Sequence, residues 1–198
     1  MSDQIAAAVN VAWDRIEDWL ARRAPEALTV LSDGATTAAV VDVERTLDVR
    51  FPAALRASFL RHDGQRFRQP FLFGGGRLLP LEDVVSEWSM AIELSSGDDP
   101  TLHWNPTWIP FVGRDGDNLH VRSDLVDGNL VWTFEHEAEG MLCTDAPFEA
   151  WLLLWLDDLV AGRLSLGDGT FDISETARSW PSVPFARDDF GQGQSPVQ

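Results

Sequence analysis

The feature that most constrains this chain is a change of hydrophobic period along its length. Up to about residue 92 apolar residues recur at helical spacing. Between Trp108 and Cys143 they fall in short runs cut by Gly and Asp, and from Ala146 the helical spacing returns. Val9, Ala12, Trp13, Ile16, Trp19 and Leu20 mark one face of a first helix, with Pro25 just beyond its end. Val40, Val43 and Leu47 mark a second helix over Thr37 to Leu47. A third opens near Pro52, turns Leu55 and Phe59 inward, and ends at His62-Asp63-Gly64-Gln65 with Gly64 as C-cap. A short strand is expected around Phe71-Leu72-Phe73. Leu81, Val84, Val85, Trp88 and Ile92 then share one face of a fourth helix.

The middle segment predicts strands at Trp108–Val112, Asn118–Val121, Leu130–Phe134 and Met141–Cys143. Pro110 has no N–H for a ladder, so its strand lies at an edge or carries a bulge. The closing helix is expected from Ala146 to Ala161. Asp145 is its N-cap, Gly162 its stop, and Phe148, Trp151, Leu152, Trp155 and Leu159 its buried stripe. Helices, a run of antiparallel strands and a closing helix make a single α+β domain, an antiparallel mixed sheet of short strands packed against several helices. We expect that domain to span residues 1–178. Residues 179–198 accumulate Pro, Gly, Gln, Ser and Asp without periodicity and are expected to form a poorly ordered tail.

Composition narrows the chemistry. The 198 residues are enough for one core, and nine Trp and eleven Phe supply large apolar area. All fifteen basic residues are Arg, so Schiff-base catalysis, a P-loop and the protein-kinase lysine are excluded. Cys143 is alone, which rules out an intramolecular disulfide and a multi-Cys zinc site and fits a reducing compartment. No run is long and apolar enough for a membrane span and no cleavable leader is evident, so a cytoplasmic location is expected. The net charge of −17 disfavours nucleic acid and anionic membranes as direct partners and suits a basic protein.

Individual constellations carry little chemistry. His62, His103, His120 and His136 have no metal-like partners at helical spacing, and Glu135-His136-Glu137 alternates across a strand end. Asp115-Gly116-Asp117-Asn118 misses the calcium-loop pattern, because Leu119 stands where a ligand belongs and His120 where Gly belongs. No Gly-x-Ser-x-Gly elbow is present. No catalytic residue, metal ligand or cofactor is assigned.

Seven phrases in fixed order carry a resemblance. They are Trp13 to Leu20, Leu47 to Leu55, His62-Asp63-Gly64-Gln65, Leu78 to Glu82, Trp108-Ile109-Pro110-Phe111, Asp115 to Asn118, and Phe148 to Leu152. Their order resembles the SUKH superfamily, which includes the Smi/Knr cell-wall assembly regulators, from about Trp13 to Gly162. The resemblance implies a SUKH-like fold and a non-enzymatic protein-binding module. Bacterial members look like immunity proteins that bind and neutralise a cognate toxin, often a nuclease. Fungal members look like regulatory scaffolds of cell-wall signalling. The expected function is therefore neutralisation of a basic toxin domain, with a scaffold or adaptor role as the alternative. A small metal-dependent hydrolase using the Asp115–Asp124 carboxylates is a further alternative. Partner contacts are expected at the acidic turns, on Asp63, Asp115, Asp117, Asp124, Glu135 and Glu137.

Overall fold

The computed structural model describes residues 2–67, 70–73, 76–96, 104–114, 117–123, 130–134, 142–167, 170–173 and 182–184. Helix α1 (Ser2–Arg23) begins a full two turns before the apolar stripe does, and buries Val9, Ala12, Trp13, Ile16 and Leu20. Pro25 does not simply follow it. Its fixed φ and missing N–H suit the first helical position, and it opens the short α2 (Pro25–Leu28).

Helix α3 (Thr37–Leu47) is capped by the Thr36 hydroxyl, which accepts from Ala39 N at 3.1 Å. It inverts into α4 (Ala53–Arg61) through Asp48, whose φ of 54° is left-handed. Glu44, only 5% exposed, fastens that inversion. One carboxylate oxygen accepts from Phe51 N at 2.8 Å and the other from the Arg56 guanidinium. A buried carboxylate so paired is tolerated, and removing either partner would strand a charge.

Strand β1 is only Arg77–Leu78. The strand expected around Phe71-Leu72-Phe73 is instead an irregular stretch in which Phe73 bridges to Gly76, and it serves to bury Leu72 and Phe73. Helix α5 (Leu81–Ser95) follows at once. It buries Leu81 and Val84, while Val85, Trp88 and Ile92 are half-buried and Met90 and Leu94 are exposed.

Strands β2 (Trp108–Arg114), β3 (Asp117–Arg122), β4 (Leu130–Phe134) and β5 (Leu142–Pro147) form a meander. The residue Pro110 does mark a bulge: the β2–β3 register shifts between Pro110 and Val112. Strand β5 runs directly into α6 (Phe148–Val160). Asp145 is therefore a strand residue and not the N-cap. Pro147 takes the N-cap position at φ −63°, ψ 158°, with no side-chain cap bond. Gly162 ends α6 as expected, at φ +70°.

A hairpin not anticipated from sequence follows. Strands β6 (Leu164–Gly167) and β7 (Thr170–Ile173) pair antiparallel, with Gly167 opposite Thr170. The chain then returns to the main sheet. Within the segment expected to be a poorly ordered tail, Ser182–Pro184 forms β8 against β5, and the remainder lies outside the described residues. The six-stranded sheet has the order β1-β2-β3-β4-β5-β8, antiparallel throughout. The fold is the α+β arrangement of helices on an antiparallel sheet.

The core lies between the helices and one sheet face. Helix α6 contributes Phe148, Trp151, Leu152, Trp155, Leu156 and Leu159, while α1 and α4 pack beside it. The bulge residue Phe111 meets Phe148 and Trp151 edge-on, each at 5.1 Å between ring centroids. Phe73 lies against Trp151 and Trp155 at 5.1 and 4.8 Å. Trp151 is thus enclosed by rings from three separate segments. Replacing it with Ala should cost about 3–5 kcal/mol. Urea denaturation monitored by far-ultraviolet circular dichroism checks this, and a midpoint unchanged from wild type would contradict the packing described.

Candidate interaction surface

The corner between α4 and α5 gathers polar side chains that sequence spacing separates. Helix α4 ends at His62 in extended geometry, so Gly64 is not its cap as expected. Gly64 has φ +72°, and a Cβ there would lie 2.2 Å from Pro80 N. It is the point at which the chain passes against the start of α5. This close approach aims Asp63 at the helix: its Oδ1 accepts from Leu81 N at 2.8 Å. The N-cap residue Pro80 supplies no side-chain cap, so Asp63 satisfies an orphan donor from eighteen residues away. Its negative charge, with Glu82 and Asp83 in the first turn, also faces the positive end of the helix dipole.

The same corner holds the loop that follows. Gln65 N donates to Leu78 O at 2.8 Å, and the buried Gln65 amide donates to Pro70 O at 2.6 Å. Arg77 donates to Asp83 at 2.6 Å and to Gln65 O at 3.3 Å. Its guanidinium also stands 5.1 Å from the Phe67 ring centroid. Glu87 sits one turn beyond Asp83. Burial and the Asp83 charge push its pKa up, and Arg77 only partly opposes them.

A second polar group locks α1 to α4. Glu17 accepts from Arg61 at 2.6 and 2.8 Å, and Asp14 accepts from the same guanidinium at 2.8 Å. His62 Nε2 lies 3.0 Å from Glu17 Oε1, and His62 Nδ1 lies 2.9 Å from Ser32 O. Trp13 closes the group, donating from Nε1 to Ser58 Oγ at 3.0 Å and meeting the His62 ring edge-on at 4.8 Å.

On the other face of the sheet, Trp104, Trp108 and His120 pack together. Trp108 and His120 are stacked at 4.8 Å, and Trp104 meets them edge-on at 5.4 and 5.0 Å. The Arg122 guanidinium lies 5.8 Å from the Trp108 ring. Trp104 and Trp108 are therefore packing residues. Among the described residues no group of three or more His, Cys, Asp or Glu could hold a metal ion.

Over these elements, from Gly34 near the start of α3 to Leu154 within α6, the chain matches a family model described as SMI1 / KNR4 family (SUKH-1), residues 34–154. The chain belongs to the SMI1/KNR4 family. The KNR4/SMI1 homolog of Kluyveromyces lactis is 35% identical over 80 residues, 38% of this chain and 15% of that protein. KNR4/SMI1 homolog 2 of Debaryomyces hansenii is 38% identical over 86 residues, 42% of this chain and 15% of that protein. The cell wall assembly regulator SMI1 of Saccharomyces cerevisiae is 35% identical over 81 residues, 38% and 16% of the two chains. The matched stretch thus spans less than one-sixth of the length of these SMI1/KNR4 relatives.

Of the residues expected to contact a partner, Asp63 is half-exposed with one oxygen engaged by α5. Asp117 opens β3 opposite Arg114. Asp115, Asp124, Glu135 and Glu137 lie outside the described residues, as do His103 and His136. The acids that sequence reasoning missed are Glu17, Glu44 and Asp83. Their partners are distant in sequence or hidden by an irregular loop, so spacing carries no sign of them. No described helix is long and apolar enough to cross a membrane.

Two measurements probe this geometry. Asp63→Ala should lower stability by about 1 kcal/mol through loss of the α5 cap, read as a shifted urea midpoint. Asp63→Asn should recover most of that. For Glu17, burial acts to raise the pKa, but the Arg61 and His62 hydrogen bonds outweigh it and hold it below the ordinary 4.5. A depressed carboxyl stabilises the fold above its unfolded pKa, and that contribution is lost as pH falls through the folded value. The stability gap between wild type and Glu17→Gln should therefore be full at pH 7 and close steadily below pH 4.5. A gap constant from pH 7 to 3 would assign the effect to packing instead.

Proposed function

We propose that this SMI1/KNR4 chain is a non-enzymatic protein-binding module that acts in the cytoplasm as an immunity protein, binding a basic toxin domain and neutralising it. The observation that carries the reading is charge: 32 acidic residues stand against 15 basic ones in a chain of this family. A nuclease site is basic because it holds phosphates, so an acidic surface can occupy it in place of the substrate. No cofactor and no catalytic residue is needed for that action.

The acidic turns carry the steering part of this proposal: Asp63, Asp115, Asp117 and Asp124, with Glu135 and Glu137. Exposed charges of this kind act mainly on the association rate and its salt dependence. Charge reversal at Asp115 and Asp117 together should slow association with any toxin domain found encoded beside this gene and flatten its dependence on ionic strength, with an unchanged melting temperature. Stopped-flow mixing at low and high salt measures this. Association at the wild-type rate at low salt would move the site elsewhere. The function itself is tested by co-expression: growth rescued from that toxin supports neutralisation, and unrelieved toxicity counts against it.

A second reading is favoured by the name of one relative, the cell wall assembly regulator SMI1 of Saccharomyces cerevisiae. In that reading the module is a regulatory scaffold, and stable endogenous partners unrelated to toxins would be recovered from the host.

A further inference from the structure

Phe67 is 85% exposed, whereas the other exposed large hydrophobic residues among the described ones range from 40% to 56%. A single exposed apolar side chain is ordinary on a protein surface. What sets Phe67 apart is that the described residues beside it are held in place. The preceding residue, Arg66, donates its N–H to Val30 O at 2.8 Å. Gln65 is pinned to Leu78 on one side and, through its buried amide, to Pro70 on the other. The Arg77 guanidinium lies against the Phe67 ring, and the Phe71 ring stands 6.5 Å away. Arg77 is itself held by Asp83. The ring is thus presented to solvent on a tethered base, and burying it against a partner would require little further ordering. Rigid aromatic side chains that fill a partner's pocket are the typical anchors of protein interfaces.

The surroundings indicate what kind of pocket. Asp63, Glu82, Asp83 and Glu87 stand at this corner against Arg66 and Arg77. The Arg77 charge is already engaged by Asp83, and Glu87 lies in the negative field of Asp83. Acid exceeds base locally, in the same sense as for the whole chain.

We infer that Phe67 is the aromatic anchor of the partner interface, seated in an apolar socket on the partner that is rimmed by Arg or Lys side chains. This rests on the toxin-binding reading above and adds to it where the contact is made. Basic rim groups would meet the carboxylates of α5, while the socket removes the ring from water. The acids would speed encounter, and the ring would set how long the complex lasts.

The test uses the full chain and, as probe, any toxin domain found encoded beside its gene, in a catalytically silent form, with binding followed by surface plasmon resonance. Phe67→Ala should weaken binding about 30-fold or more, chiefly through faster dissociation, with the melting temperature unchanged. Glu82→Arg should slow association. Leu60→Ala, which truncates an exposed residue on α4, should bind within about twofold of wild type, as expected away from the contact. If wild type binds and Phe67→Ala matches it, the anchor is elsewhere and the toxin-binding reading stands. If wild type fails to bind, that reading falls and this inference falls with it. A dimer of the chain alone that Phe67→Ala dissolves in sedimentation velocity would assign the ring to a second copy and overturn the proposal.

Discussion

The contact among Phe111, Phe148 and Trp151 is the one on which the rest of this domain depends. An antiparallel sheet must cover one face, and here the cover comes from the helix that leaves β5 without a loop. Pro147 allows that transition because it is extended in ψ and has no N–H for either the ladder or the helix. The β2 bulge gives Phe111 its place against α6, and a regular strand would change the register from that point onward. Once these rings meet, α1 and α4 have an apolar shelf to pack on, and the loop carrying Phe73 is drawn onto Trp151 and Trp155.

Polar fasteners then set the angles between helices. Burial of charge is costly unless each ion is paired, and the acids drawn inward obey that rule. Glu44 is tied to Phe51 N and Arg56, Glu17 to Arg61 and His62, and Asp158 to Arg163. A strongly acidic chain can thus fold around a few paired carboxylates, while described acids such as Asp14, Asp18 and Asp42 stay largely exposed at its surface. Asp63 belongs to both groups, because its carboxylate caps α5 and remains half-exposed.

Much of the fold was legible because hydrophobic period is a local property. The stripes of α1, α3 and α6 and the strands β2 to β4 lie where their residues predict. The misses have a common form. The hairpin β6–β7 has alternating Leu164, Leu166, Phe171 and Ile173 about Asp168-Gly169, a hairpin signal too short to stand out beside the long helical stripes. Asp145 has the right side chain for an N-cap, but pairing extended β5 beyond it. Gly64 is the right residue type for a C-cap, yet its positive φ serves the approach to Pro80. Residue preference names what a position can do, and neighbouring elements select among those uses.

The sequence by itself determined the class of fold, the family, the inward faces of the long helices, and a charge that suits a basic partner. These follow from composition, period and the order of short phrases, all of which survive without coordinates. Only the tertiary structure decided which acids are engaged and which residues stand out to solvent. Asp63 reaches Leu81, Glu17 meets Arg61 and His62, and Arg77 settles beneath Phe67 because helices and loops far apart in the chain are packed side by side. Such pairings depend on distances through space, which no spacing along the chain encodes. The exposure of Phe67 is of the same kind: an aromatic residue is ordinarily expected in the core, and the tethering of Gln65 and Arg66 to Leu78 and Val30 leaves this one outward.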